Sequence, residues 1–529
     1  MNGGHAGMRP QLLLVAFLLS ACAPAVSNAP TAPDLPPEVP QLLRVITSSV
    51  PTSLTPAAGT AGHFMVWTLY DSVTQFGPNF EVRPSVAERW VVSPDGMTWV
   101  LTLRGDLRWP DGTALTAADV VFSLDQIRLR RWPQASLFSS IAAARAVDPL
   151  TVELAMRLPD MTLPNHLPYL WVLPQAHLDR IGIDQFALRP IGSGPYEVAE
   201  FRPGVSLVVR KRAIADGGTL HPFRRPIADE IRFTAVIDPL QAVAALRNNE
   251  ADIAAVHAFS ASHIDQLRAA KMTVLVFPLA TTALAFPDGA LQLRASPLRD
   301  KRVRLALNYA VDKTALAALF YGAEPVGQYA SPGSVYWDPS AAPYPYDPAR
   351  ARQLLAEAGF PNGVRIESGI EYQPSLLPTE IALIVQGALA EVGVEAPLVP
   401  LEATAYLEKA YGRNGQLKAE LFGATVLDST GVATGMRTFL GCASPAGSGI
   451  VGRWYCNREW DRLISEAIAE RDPERRRFLM REANRIQRED VPFLFLIVQP
   501  GYTVLAPHVR GLHIDYLRIF SLDPAYRVR

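Results

Sequence analysis

Three cysteines, Cys22, Cys442 and Cys456, are the side chains of this sequence best suited to covalent chemistry. A thiolate can act as nucleophile, hold a soft metal or close a disulfide, and its surroundings decide which. No recognisable nucleophile constellation accompanies them. The sequence holds no G-x-S-x-G elbow, no H-E-x-x-H zinc motif and no G-x-x-x-x-G-K-[ST] phosphate loop. His257 and His263 stand six apart with only Asp265 beside them as a further ligand, too few for a metal site. Gly447 to Gly452 fits G-x-G-x-x-G, but it lies between two cysteines in a polar turn region. A dinucleotide site needs a strand before it and a helix after it. No catalysis, cofactor or metal is expected from these residues.

The segment around Cys22 reads as an address. Leu12 to Leu19 is an apolar run of eight residues, where a membrane span needs about 20. Eight is the length of a secretory h-region, and the small residues Ser20 and Ala21 follow it. Leu19-Ser20-Ala21-Cys22 resembles a bacterial lipobox, which implies cleavage before Cys22 and acylation of its thiol. A buried amphipathic segment is the competing reading. Residues 1–21 are thus expected to be a signal peptide, with the true start at Met8, where "MRPQLLLV" begins. Residues 22–40 are rich in Pro, Ala and Ser and cannot bury a core, so they read as a tether. The expected location is the bacterial cell envelope, in the periplasm or on the outer face of the cell membrane. One acyl chain binds a membrane only marginally. The lipoprotein resemblance implies three. With Cys22 acylated, Cys442 and Cys456 remain, in a compartment where disulfides persist. A bridge between them would close a loop of about 15 residues and contribute about 3 kcal/mol in the chain-entropy model. Two buried free thiols are the alternative.

The elements around these positions must come from 529 residues, more than one core serves, so at least two lobes are expected. Apolar residues are 49% and charged residues 19%, ordinary for a globular chain. The net charge of −1 gives no reason to expect nucleic acid as a partner. In Thr98 to Leu103, Trp99, Leu101 and Leu103 alternate with Thr98, Val100 and Thr102, which predicts a half-buried strand. Thr116 and Asp119 form a capping-box pattern for a helix through Leu124. Ile191 to Arg212 reads as two strands about Pro203-Gly204, and Ile227 to Ala254 as strand, helix, strand, a parallel crossover. Asp312, Asp347-Pro348 and Asp472-Pro473 open three helices, and Phe493 to Ile497 is an apolar strand.

Several blocks, in order, resemble the family 5 solute-binding proteins of ABC importers, the dipeptide, oligopeptide and nickel-binding group. They include "VPTSLTPA", "SVAERWVVSPDGMTWVLTLRGDLRWPDGTALTAADVVFSL", "PIGSGPYEVAEFRPG", "LRDKRVRLALNYAVDK", "YPYDPARARQLLAEAGF" and "REANRIQREDVPFLFL". The similarity spans nearly all of residues 41 to 529. It implies an α/β, two-lobed periplasmic-binding-protein fold of type II, cluster C-like, with the ligand between lobes. Residues 41–277 and 499–529 would form lobe I and 278–498 lobe II. Crossings are expected near Met272 to Pro287 and Ile497 to Thr503. The implied partners are an ABC permease and its ATPase subunits, and the chain itself would be a monomer.

The same resemblance implies a ligand site. Dipeptide binders of this family place an Asp 14 residues before a cysteine to pair the peptide's amino group, and Asp428 stands 14 residues before Cys442. A buried ammonium must be paired. A surface loop Asp or a cap is the other reading of this residue. Ser429 and Thr430 follow where the family has an acidic, Asn-rich turn, and "PSLLPTEIALI" lacks the Arg that would clamp a peptide carboxylate. Tyr455-Cys456 matches the aromatic before the family's second cysteine, and Trp67, Trp454 and Tyr455 are candidate aromatic walls, with core packing as the alternative. The expected ligand is a peptide or peptide-like solute. The other readings are an opine, glycoside or metal chelate as ligand, a sensor or chaperone on the same fold, and a secreted hydrolase.

Overall fold

Residues 41–56, 63–77, 81–212, 224, 226–255, 259–287, 296–330, 337–411, 419–426, 440–442, 455–514, 520–522 and 525–528 are described by the structure, a computed structural model. The expected signal and tether, with Cys22, lie outside them.

Eleven strands among the described residues share one mixed sheet. In chain order they are β1 (Leu42–Thr47), β2 (Tyr196–Arg202), β3 (Ser206–Lys211), β4 (Glu230–Ala235), β5 (Ile253–Ala255), β6 (Thr273–Ala285), β7 (Glu324–Pro325), β8 (Ile370–Tyr372), β9 (Leu398–Pro400), β10 (Leu421–Val426) and β11 (Phe493–Leu505). Across the sheet the order is β9-β8-β10-β6-β11-β5-β1-β4-β3-β2, with β7 paired to β11.

The first lobe grows around β1, which lies parallel between β4 and β5. The expected crossover from β4 to β5 runs through the helix Pro239–Arg247, capped by Asp238, whose carboxylate accepts the Leu240 N–H at 2.8 Å. β2 and β3 form the expected hairpin, with Gly204 at φ 74° in the turn. A separate antiparallel sheet holds the strands Ala87–Val92, Thr98–Leu103, Ile141–Asp148 and Thr151–Met156. Trp99, Leu101 and Leu103 are buried there and their neighbours half-buried, the alternation their spacing predicts. The Thr116–Asp119 capping box is present: Asp119 accepts the Thr116 N–H at 2.9 Å. Its helix runs on past Leu124 to Leu129.

The chain returns to this lobe at its end. Asp252, with no exposed side-chain surface, accepts from Arg44 N–H at 2.7 Å and pairs with His508 at 2.8 Å and Arg527 at 3.4 Å. Burial pushes its carboxyl up, but the hydrogen bonds from Arg44 and His508 outweigh that and hold it below the usual carboxylate range.

The second lobe packs helices on β6, β8, β10 and β11. The helices expected from Asp312, Asp347 and Asp472 are Lys313–Ala318, Pro348–Glu357 and Pro473–Asp490, and each aspartate accepts a first-turn N–H. Arg304, almost wholly buried, donates to the carbonyls of Val491 (2.9 Å), Asp490 (2.7 Å), Leu298 (2.8 Å) and Arg299 (3.2 Å). It thereby braces Val491, which ends the long helix at φ 53°, a left-handed conformation costly for a β-branched residue.

Candidate ligand site between the lobes

β6 and β11 are both 13 residues long and pair antiparallel from Thr273↔Leu505 to Ala285↔Phe493. The core that each serves changes along its length. Phe493, Phe495 and Val498 pack in one core of the second lobe, and Leu494, Leu496 and Ile497 in another. Tyr502, Val504 and Leu505 pack in the cores of the first lobe. The handover falls where Pro278 faces Pro500, with a register shift between Pro278 and Ala280. Prolines donate no ladder hydrogen bond, so pairing is weakest at the boundary between the cores. Gly501 follows, and a Cβ there would stand 2.3 Å from the Phe277 ring. Among the described residues the two lobes are therefore joined by one pair of strands with a soft point between separate cores. Space between the lobes can open and close about it.

Trp67 lies on the first lobe, in the helix His63–Leu69. It is half-buried, and its ring meets Trp171 edge-on at 6.3 Å, at the end of an aromatic row through Tyr169 and Phe76. Its indole N–H is buried without an acceptor among the described residues. The end of this helix is fixed by Arg224, which donates to the Trp67 and Tyr70 carbonyls and pairs with Asp71 at 2.5 Å. A cation at a helix C-terminus is favourable. Nothing in the spacing of Arg224 marked it, because its partners are more than 150 residues away.

On the second lobe, Cys442 and Cys456 are joined in a disulfide with their Cα atoms 4.3 Å apart. The Cys442 N–H donates to Asp461 at 3.0 Å, in the first turn of the helix Arg458–Ala469. Tyr455 is only 5% exposed, edge-on to Trp460 at 5.9 Å, and donates its hydroxyl to Asp490 at 2.6 Å. Burial, then this bond to a carboxylate, pushes its phenol far above the ordinary tyrosine range. The ring is thus packed in the lobe's core. Asp428, Ser429, Thr430 and Trp454 lie outside the described residues.

His263 serves as a helix cap, its ring nitrogen accepting from Ser260 N–H at 3.2 Å, while His257 lies outside the described residues. Among the described residues no group of three or more His, Cys, Asp or Glu side chains could hold a metal. No described helix is long and apolar enough to cross a membrane.

Comparison with known proteins fits this architecture. The chain is 27% identical over 488 residues to the glutathione-binding protein GsiB of Salmonella typhimurium, covering 90% of this chain and 92% of that one. It superposes on DppA, a periplasmic binding protein from Helicobacter pylori in complex with peptide STSA, with a TM-score of 0.77 at 20% identity, covering 92% and 98% of the two chains. It superposes equally on MoaA from A. tumefaciens R10 in complex with mannopinic acid, with a TM-score of 0.77 at 23% identity, covering 93% and 100%. The fold is the two-lobed, mixed α/β, type II architecture of periplasmic binding proteins. Residues 81–444 match the group described as bacterial extracellular solute-binding proteins, family 5 Middle, and with that match over more than half its length the chain belongs to the family 5 extracellular solute-binding proteins.

Proposed function

We propose that this chain is the solute-capturing receptor of an ABC importer. It closes on a peptide or peptide-like solute between its lobes and delivers it to a membrane permease driven by ATPase subunits. It performs no chemistry on that solute and acts as a monomer. The observation that carries the reading is the joining of separate cores by the pair β6 and β11, interrupted at Pro278 and Pro500. Such a hinge converts binding into a change of shape, provided that the solute prefers the closed form. Relatives that bind glutathione and the peptide STSA favour the peptide class.

Within this reading Asp428 pairs the solute's ammonium group, with Ser429, Thr430, Trp454 and Trp67 around it. Cys22 carries the lipid that holds the receptor at the cell envelope. Lobe I is formed by 41–277 and 499–529, and lobe II by 278–498.

Native mass spectrometry of the chain from Ala23 onward, purified without refolding, tests the solute class. Adducts matching two to five amino-acid residues are expected. A single non-peptide mass would overturn the peptide reading. For a peptide so identified, Asp428→Asn should weaken binding at least tenfold, about 1.4 kcal/mol, in a calorimetric titration. A smaller loss removes Asp428 from the site.

A further inference from the structure

Away from the crossing strands, a hairpin tip from each lobe meets the other. On the first lobe, the turn Ser93–Met97 joins the strands Ala87–Val92 and Thr98–Leu103. Asp95 accepts from the Ser93 hydroxyl and from Met97 N–H at 3.0 Å, and Thr98 N–H donates to Ser93 Oγ at 2.9 Å. Gly96, at φ 75°, packs closely on the segment Pro159–Met161: a Cβ there would stand 2.8 Å from Met161 Cε and 3.0 Å from Pro159 Cβ. Turn and Pro159–Met161 segment therefore form one stiff platform.

On the second lobe, the helices Arg458–Ala469 and Pro473–Asp490 form a hairpin with Glu470 to Asp472 at its tip. The tip is braced as well: Arg476 Nε donates to the Glu470 carbonyl at 3.2 Å, and Asp472 N–H to Glu470 Oε1 at 2.9 Å.

Across the seam, Met161 N–H donates to Ile468 O at 2.8 Å, one of the last carbonyls of its helix, which no intrahelical donor can reach. The exposed Arg471 donates to Ser93 O at 2.6 Å and Pro94 O at 3.0 Å. A groove of about 440 Å³ beside these bonds is lined from both lobes, by Asp95 and Pro159 on one side and Glu466 and Arg475 on the other. None of these residues belongs to β6 or β11.

We propose that Arg471 is a positioning residue for lobe closure: it latches the second lobe onto the Ser93–Pro94 carbonyls and so sets how long the closed form lasts, without touching the solute. This rests on the reading of the chain as a closing receptor. Both platforms are stiff within their own lobes, so opening at the hinge must break the Arg471 and Met161 bonds together. A charged donor strengthens such bonds, while exposure to water weakens them.

The test is single-molecule fluorescence transfer between dyes on Leu129→Cys in the first lobe and Leu383→Cys in the second, sites 75% and 53% exposed. Protein with Arg471 intact is compared with Arg471→Ala and Arg471→Lys, without solute and with a mixed tripeptide library as probe. Arg471→Ala should lower the closed-to-open ratio about fivefold, and Arg471→Lys, which keeps a charged donor, should restore at least half of it. Equal ratios in all three proteins would overturn the latch. If the library closes all three equally, the latch falls and the peptide reading stands. If the library moves none while the Ala and Lys difference persists, the latch stands and the peptide reading fails.

Discussion

Lys313 shows how a residue ordinary in the sequence becomes unusual in the fold. Its side chain is almost wholly buried, and its ammonium donates to Asn308 O at 2.5 Å and to Val311 O and Tyr344 O at 3.4 Å. No carboxylate is among these acceptors, and burial drives its pKa down to about 7. An unfolded lysine titrates near 10.4, so between these values the unfolded chain binds the extra proton. Stability contributed at this site therefore rises as pH increases from about 7 towards 10. Urea unfolding at pH 6.5 and pH 9 should show the natural protein gaining stability relative to Lys313→Met across that window. A constant difference between the two proteins would contradict this. In the sequence, Asp312 was legible as a cap because capping is local. The burial of its neighbour was not, because Tyr344, whose carbonyl accepts from it, lies 31 residues away.

At the scale of elements, what is local was legible and what is long-range was not. The alternating strand Thr98–Leu103, the hairpin at Gly204 and the Asp-Pro helix starts depend on neighbours within a few residues. The apolar run Phe493 to Ile497 was visible as a strand, but β11 continues to Leu505. Pro500 and Gly501 interrupt the local strand signal, and β6 carries Pro278 opposite. Only pairing across more than 200 residues of chain holds these two strands in register. At Gly501 this pairing leaves little room. Gly501→Ala forces its Cβ against the Phe277 ring, 2.3 Å away, so strand or ring must shift. The expected cost is about 1–3 kcal/mol in urea unfolding. An unchanged midpoint would mean that the crossing tolerates overpacking and is looser than its geometry. The aromatic candidates divide at this scale too. Trp67 lies in the last turn of its helix at the edge of the first lobe's core, with an indole N–H that has no acceptor among the described residues, whereas Tyr455 is locked between Trp460 and Asp490.

For the whole molecule, the division into lobes follows from length and the joint from topology. The first lobe is closed by residues from both ends of the chain, with Arg44, His508 and Arg527 gathered on Asp252. The second lobe can then move as a unit on β6 and β11, held at its far side by the Met161–Ile468 bond. A receptor of this design must become more compact when solute enters, because the bound form is the closed one. The direct measurement is small-angle X-ray scattering of the chain from Ala23 onward, stripped of solute by unfolding and refolding, then returned to the solute extracted from it. The radius of gyration should fall on binding, as a saturable function of solute concentration. An unchanged radius at saturation, with binding verified by calorimetry in the same sample, would contradict the closing hinge on which the proposed function rests.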